Sequence, residues 1–242
     1  MKRIALLIGN SNGLEGVKKD INNHARFLSS DFGGAWYENE IVPIMNPDKK
    51  GLLEALEIVK YNKYDFSYVV FSGHGAYQRQ TVLEINDKGE YIYESDLIGL
   101  STRQISIFDC CRNIIQEEIY KSNVLSAQNK WLSFDGNIVR QKYETRIMQA
   151  KEQQNVLYAC SVNESALDTA DGGLYTKNFL SSITPYRNEE FKLVGTAHVE
   201  ATEKTIQEAS LKYHKQTPEA YIERCLISQS LIISINPYYP SL

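Results

Sequence analysis

Four short apolar runs limit what this chain can fold into: "RIALLIG" (3–9), "SYVVFSG" (67–73), "QISIFD" (104–109) and "NVLYAC" (155–160). Each is nearly continuous rather than alternating, the pattern of a strand buried on both faces. Stretches with helical spacing separate them. Ile21, Ala25 and Leu28 recur at helical intervals in 18–32. Asp48 precedes Leu52, Leu53, Leu56 and Val59 as an N-cap would in 48–62. A third amphipathic stretch covers 199–214. Strands alternating with helices predict an α/β fold, with a mostly parallel central sheet flanked by helices on both faces. Sites in such sheets gather beyond the C-terminal ends of the strands.

The 242 residues suit a single domain spanning 1–242. A net charge of -4, with acids and bases mixed along the chain, lacks the basic patch of a nucleic-acid binder. No apolar run is long enough to cross a bilayer. The opening "MKRIALLIGN" mimics a leader peptide, but its apolar core is short and no small-residue cleavage site follows, so it reads as the first strand. Cys110, Cys111, Cys160 and Cys225 form no CxxC pair and no Cys/His spacing for a metal, so no metal site is expected. Reduced thiols place the protein in the cytoplasm.

Two strand ends carry reactive side chains. In "FSGHGAY" His74 stands between Gly73 and Gly75; in "IFDCCRN" Cys110 and Cys111 follow Asp109. Parallel neighbouring strands would bring both tips to one edge, which pairs a thiol with a proton-transfer group. The alternative is an inert thiol and an ordinary loop histidine. The strand period places Asp109 and Cys111 on one face and Cys110 on the other, as packing. The loop "GNSNGLEG" (9–16) sits where phosphate loops occur but lacks their motifs. His24, His198 and His214 have no partner spacing, and Cys160 and Cys225 read as core thiols.

"SGHG" followed by "DCCRN", after a first strand ending "LLIGN", resembles the caspase-like cysteine peptidases, in the branch of bacterial homologues, metacaspases and paracaspases. The resemblance runs roughly over 3–179 and is strong only around the motifs. It implies the caspase-hemoglobinase fold. It implies Cys111 as nucleophile, His74 as proton-transfer residue, and the backbone N–H groups of Gly75 and Cys111 as oxyanion donors. True caspases carry Gln-Ala-Cys-x-Gly at the nucleophile, and roughly 50 residues separate their His from their Cys. Here the motif is Asp-Cys-Cys-Arg-Asn and the spacing is shorter. The acid two residues before the nucleophile implies a substrate with Arg, or less readily Lys, before the scissile bond.

By the same resemblance Asp20, Glu164 and Asp168 are further pocket acids, although Lys19 stands where metacaspases carry Asn. Solvated loop acids are the alternative for Asp20 and Asp168. The polar, basic segment 126–154 takes the place where caspase-like enzymes are cut. A helix is expected from 143 to 154, and Arg140, Lys142 and Arg146 are candidate self-cleavage sites. A helical hairpin with a solvated basic face is the alternative there. No cofactor is required; metacaspases often depend on calcium, but no calcium-loop pattern is present. Bacterial relatives serve stress or phage defence with a separate activator protein or ligand. A catalytically inactive adaptor or small-ligand sensor is the competing function, and a flavodoxin-like nucleotide binder a third.

Overall fold

The computed structural model describes residues 1–114 and 137–240. In chain order the elements are β1 (Arg3–Gly9), α1 (Gly16–Ser29), β2 (Ile41–Met45), α2 (Lys49–Tyr61), β3 (Tyr64–Ser72), β4 (Gly75–Gln78), β5 (Gln80–Glu84), β6 (Tyr91–Tyr93), α3 (Glu94–Leu97) and β7 (Ser101–Asp109). There follow α4 (Asn137–Gln149), β8 (Gln153–Tyr158), β9 (Asp168–Thr169), β10 (Gly172–Gly173), α5 (Leu174–Ser182), β11 (Phe191–Leu193), α6 (Val194–Ser210), β12 (Glu219–Tyr221) and β13 (Ile232–Ile235).

Six strands form the central sheet in the order β12-β8-β7-β3-β1-β2. Five are parallel, and β12 runs antiparallel to β8 at the edge. The four apolar runs are β1, β3, β7 and β8, the inner strands, which is why they are apolar on both faces. One face packs Leu7, Val70, Ile107 and Leu157 against α1, α4, α5 and α6. The other packs Ile8, Val69, Phe71 and Phe108 against α2, α3 and the β4–β5–β6 meander. The expected α/β layering with helices on both faces is what forms. Asp48 caps α2, its side chain accepting from the Gly51 N–H at 2.8 Å.

Three expectations need correction. The helix expected over 143–154 starts at Asn137 and stops at Gln149, and Gln153 and Gln154 already belong to β8. That helix is no solvated insertion. Tyr143 and Ile147, one turn apart, are fully buried against the sheet. Arg140 forms a forked ion pair with Glu40 (2.6 and 2.7 Å) and a second with Glu144 (2.9 Å). Arg146 is buried and donates to the carbonyls of Ile227 and Ser230. Residues 126–136 of the expected processing segment lie outside the described residues. Cys225 is half-buried beside Ser230 rather than a core thiol. All four cysteines are free. No described helix is long and apolar enough to cross a membrane.

Candidate active site

The tips of β3 and β7 lie side by side because the two strands pair in register from Tyr64–Ser101 to Ser72–Asp109. Beyond the sheet the chains stay together. Gly73 N–H donates to the Asp109 carbonyl (3.1 Å) and Tyr77 N–H to the Asn113 carbonyl (2.8 Å). His74 and Cys111 both fall between these two bonds, so they stand on adjoining strand tips. The intervening space is tight: a Cβ on Gly75 would meet Cys110 Sγ at 2.6 Å and the Cys111 carbonyl at 2.8 Å. Gly73 adopts φ +156°, and a Cβ there would press on Asn10 at 2.9 Å, so the sharp exit to His74 needs glycine.

His74 is half-buried, and its Nε2 lies 2.6 Å from the Asn12 carbonyl. A carbonyl only accepts, so Nε2 carries a proton and donates it to Asn12, which leaves Nδ1 as the nitrogen for proton transfer. The 9–16 loop therefore has a role that its missing phosphate motif concealed. Asn10 turns it through an Asn12 N–H bond to Asn10 Oδ1 (3.2 Å) and ties it to the Glu84 carbonyl (2.8 Å). The consecutive Asn-Ser-Asn-Gly residues signalled a turn, but not which side chain the turn would orient.

The three neighbouring thiols differ in environment. Cys110 packs into the α2-side core, where burial and then the neighbouring Cys160 push its thiol up. Burial and then Cys111 push Cys160 up to about 12. Cys111 is half-buried, its Sγ 3.8 Å from the Ala166 carbonyl. Ala166 packs on the α1 side, so Cys110 and Cys111 face opposite layers, as the strand period predicts. Arg112 anchors the turn. Its guanidinium stacks on Tyr158 at 4.0 Å and bonds Thr81, the Cys160 carbonyl and Glu219. Sequence reasoning assigned it no part; a buried arginine beside a nucleophile candidate is seen only once its partners are in place.

Asp20, Asp109 and Asp168 gather about the β9–β10 hairpin: a Cβ on Gly172 would meet the Asp20 carboxylate, one on Gly173 that of Asp109, and one on Gly16 both Asp168 and Gly172. Asp20 lies on the buried stripe of α1, and accepts from Ser72 Oγ (2.7 Å) and from Gly173 N–H (3.0 and 3.1 Å). Asp109 accepts from Thr176 N–H (2.9 Å). Both carboxylates thus face the N-terminus of α5, and they are only 1% and 5% exposed. Asp20 is no solvated loop acid. Burial first, then the Asp109 charge, raises the Asp20 carboxyl, and burial pushes Asp109 up to about 6. Asp168 is exposed and accepts from Gly16 N–H at 3.2 Å.

Glu164 does not join this group, contrary to expectation. Its carboxylate is taken by Lys215 (3.0 Å) and the Thr217 N–H (2.6 Å). Burial alone would raise it, but these bonds hold it below the usual range. Among the described residues no cluster of three or more His, Cys, Asp or Glu could hold a metal.

Helices on both faces of a parallel sheet, with a thiol and an imidazole at adjoining strand tips, define the class of α/β cysteine-peptidase-like domains. Residues 2–225 match the family model of the caspase domain. The chain belongs to this family of cysteine peptidases. Its fold is similar to that of caspase-1 from Spodoptera frugiperda (TM-score 0.59, 10% identity, 91% of this chain and 86% of that one). It is also similar to a protein from Geobacter sulfurreducens (TM-score 0.58, 12% identity, 99% of both chains). At such identities the likeness is one of fold alone. No curated protein matches the chain.

Proposed function

We propose that the protein is a cysteine endopeptidase that cleaves after Arg, and less readily after Lys. The observation that carries this reading is His74, held through Nε2 by Asn12 on the strand tip that adjoins that of the half-buried Cys111, with Asp109 at the end of one of these strands and Asp20 bonded to Ser72 at the end of the other. Cys111 gives its thiol proton to His74 Nδ1 and, as the thiolate, attacks the scissile carbonyl carbon. The N–H groups of Gly75 and Cys111 receive the oxyanion, each contributing about 3–4 kcal/mol. His74 passes a proton to the leaving amine as the C–N bond breaks. Water then hydrolyses the thioester, and the thiol is restored.

Asp109 and Asp20, with Asp168 at the rim, read the substrate's positive charge. In the present conformation the β9–β10 turn and the start of α5 roof them, so access for a guanidinium requires that roof to shift. Lys19 holds the turn through the Ala170 carbonyl and, at 4.0 Å, Asp171. Activation by a separate protein or ligand, and service in stress or phage defence, rest on family resemblance. Self-cleavage after Arg140, Lys142 or Arg146 requires α4 to unwind first, because all three lie in that helix.

The roofed acids favour one competing reading, an inactive adaptor or small-ligand sensor. A panel of fluorogenic peptides ending in Arg, Lys or Asp, run with and without calcium, tests the peptidase. Turnover of the Arg peptide that Cys111→Ala abolishes is expected. Turnover of the Asp peptide alone would overturn the pocket assignment. Failure of an arginyl electrophile to label Cys111 any faster than it labels the His74→Ala variant would favour the adaptor.

A further inference from the structure

The Glu164 carboxylate belongs to a second construction beside the nucleophile. The strand-end segment 159–167 and the segment 214–217 ahead of β12 are clasped together. Gln216 donates to the Ala159 carbonyl (2.9 Å) and accepts from Leu167 N–H (3.1 Å). Ser161 donates to the Thr217 carbonyl (2.9 Å), and His214 Nε2 donates to the Ser165 carbonyl (2.8 Å). Glu164 closes the clasp through Thr217 N–H, Thr217 Oγ1 (3.3 Å) and Lys215. Its side chain is 6% exposed, whereas Lys215 is 84% exposed.

The clasped segment touches the nucleophile's turn at three points, two on Arg112 and one on Cys111. The Glu164 carbonyl accepts from Arg112 N–H (3.0 Å), and Asn163 N–H donates to the Arg112 carbonyl (2.8 Å). The Ala166 carbonyl faces Cys111 Sγ. Arg112 N–H and the Cys111 carbonyl share one planar peptide unit. Holding that N–H restrains the peptide plane on the C-terminal side of Cys111, while the Ala166 carbonyl of the same segment meets the thiol itself.

We infer that Glu164 is a positioning residue for Cys111, which it orients through the clasp between 159–167 and 214–217, and not an acid that binds the substrate's basic side chain. The kinetic half of this inference rests on the peptidase reading; the chemical half does not. The two roles differ in what they need. A pocket acid needs its negative charge. The clasp needs an acceptor for the Thr217 N–H, which a glutamine oxygen also supplies. The exposed Lys215 pair is screened and adds little.

The test compares wild type, Glu164→Gln and Glu164→Ala by kcat and KM on peptides ending in Arg and Lys. It also measures the rate at which iodoacetamide alkylates Cys111, read by peptide mass. Glu164→Gln is expected to hold every value within about twofold, since the bond to Thr217 survives. Glu164→Ala is expected to lower kcat about tenfold on both peptides, with KM within about twofold, because only alignment is lost. It is also expected to change the Cys111 alkylation rate at least about threefold. A Glu164→Gln enzyme whose KM rises for Arg, with alkylation unchanged, would return Glu164 to the pocket and overturn the inference. So would a Glu164→Ala protein that matches wild type in both measurements. If Glu164→Ala does not fold, the KM of Glu164→Gln decides. If wild type cleaves no peptide, the peptidase reading fails alone. Equal alkylation rates in wild type and Glu164→Ala would then sink the clasp.

Discussion

Asp109 ends an inner strand with its carboxylate against the start of α5, where water scarcely reaches it. Burial pushes it up to about 6, above the ordinary carboxylate range. The folded state therefore binds a proton that the unfolded chain has already released between about pH 4 and pH 6. The stability of wild type relative to Asp109→Asn should fall as pH rises through that window and level off above it. Urea melts of the two proteins at pH 4, 5, 6 and 7 measure the difference; a gap constant with pH would show that Asp109 does not titrate there. His74 carries the complementary prediction. With its Nε2 bound to Asn12, His74→Ala should lower kcat on the Arg peptide by about 100- to 10,000-fold. An effect on KM alone would remove His74 from the chemistry.

At the scale of elements, α4 is the part of the chain whose structure contradicts its composition. Its two arginines are committed to Glu40, Glu144 and the β13 approach, while Tyr143 enters the core. The Tyr143 hydroxyl is buried with no hydrogen-bond partner among the described residues. Removing that hydroxyl relieves a desolvated polar group, so Tyr143→Phe should leave stability unchanged or raise it by about 1 kcal/mol. Tyr143→Ala should cost about 3–5 kcal/mol by emptying an aromatic site. Chemical denaturation reads both, and a Phe variant weaker than wild type would mean the hydroxyl has a partner. The same packing bears on self-cleavage. A protease needs extended backbone, so the intact masses of wild type and Cys111→Ala should show no Cys111-dependent cut after Arg140, Lys142 or Arg146 in the folded protein. A cut there would show that α4 opens.

Across the whole molecule, the roof over the acid pair sets how the pocket is reached. Lys19 is half exposed, so its hold on the 168–173 turn is weak, within the roughly 0–1 kcal/mol of surface pairs. Lys19→Ala should raise kcat/KM on the Arg peptide by about twofold if loosening the turn aids entry. A fall would mean that the turn helps bind substrate rather than cover its site. Legibility followed the range of the interactions. Inner strands announced themselves as apolar runs, whereas β2 was hidden by Pro43 on an edge and β4 to β6 by their brevity. The short α5, whose N–H groups cap both acids, left no periodic trace.

Order along the chain was enough to place His74 and Cys111 at adjoining strand tips and to turn Cys110 into the core, because strand alternation is a local property that acts residue by residue. Tertiary structure alone decided the rest. It set the tautomer of His74 through Asn12, drew Asp20 and Asp168 to Asp109, and drew Glu164 away to Lys215 and Thr217. A carboxylate's role depends on which donors surround it once water is excluded, and here those donors come from segments remote in sequence.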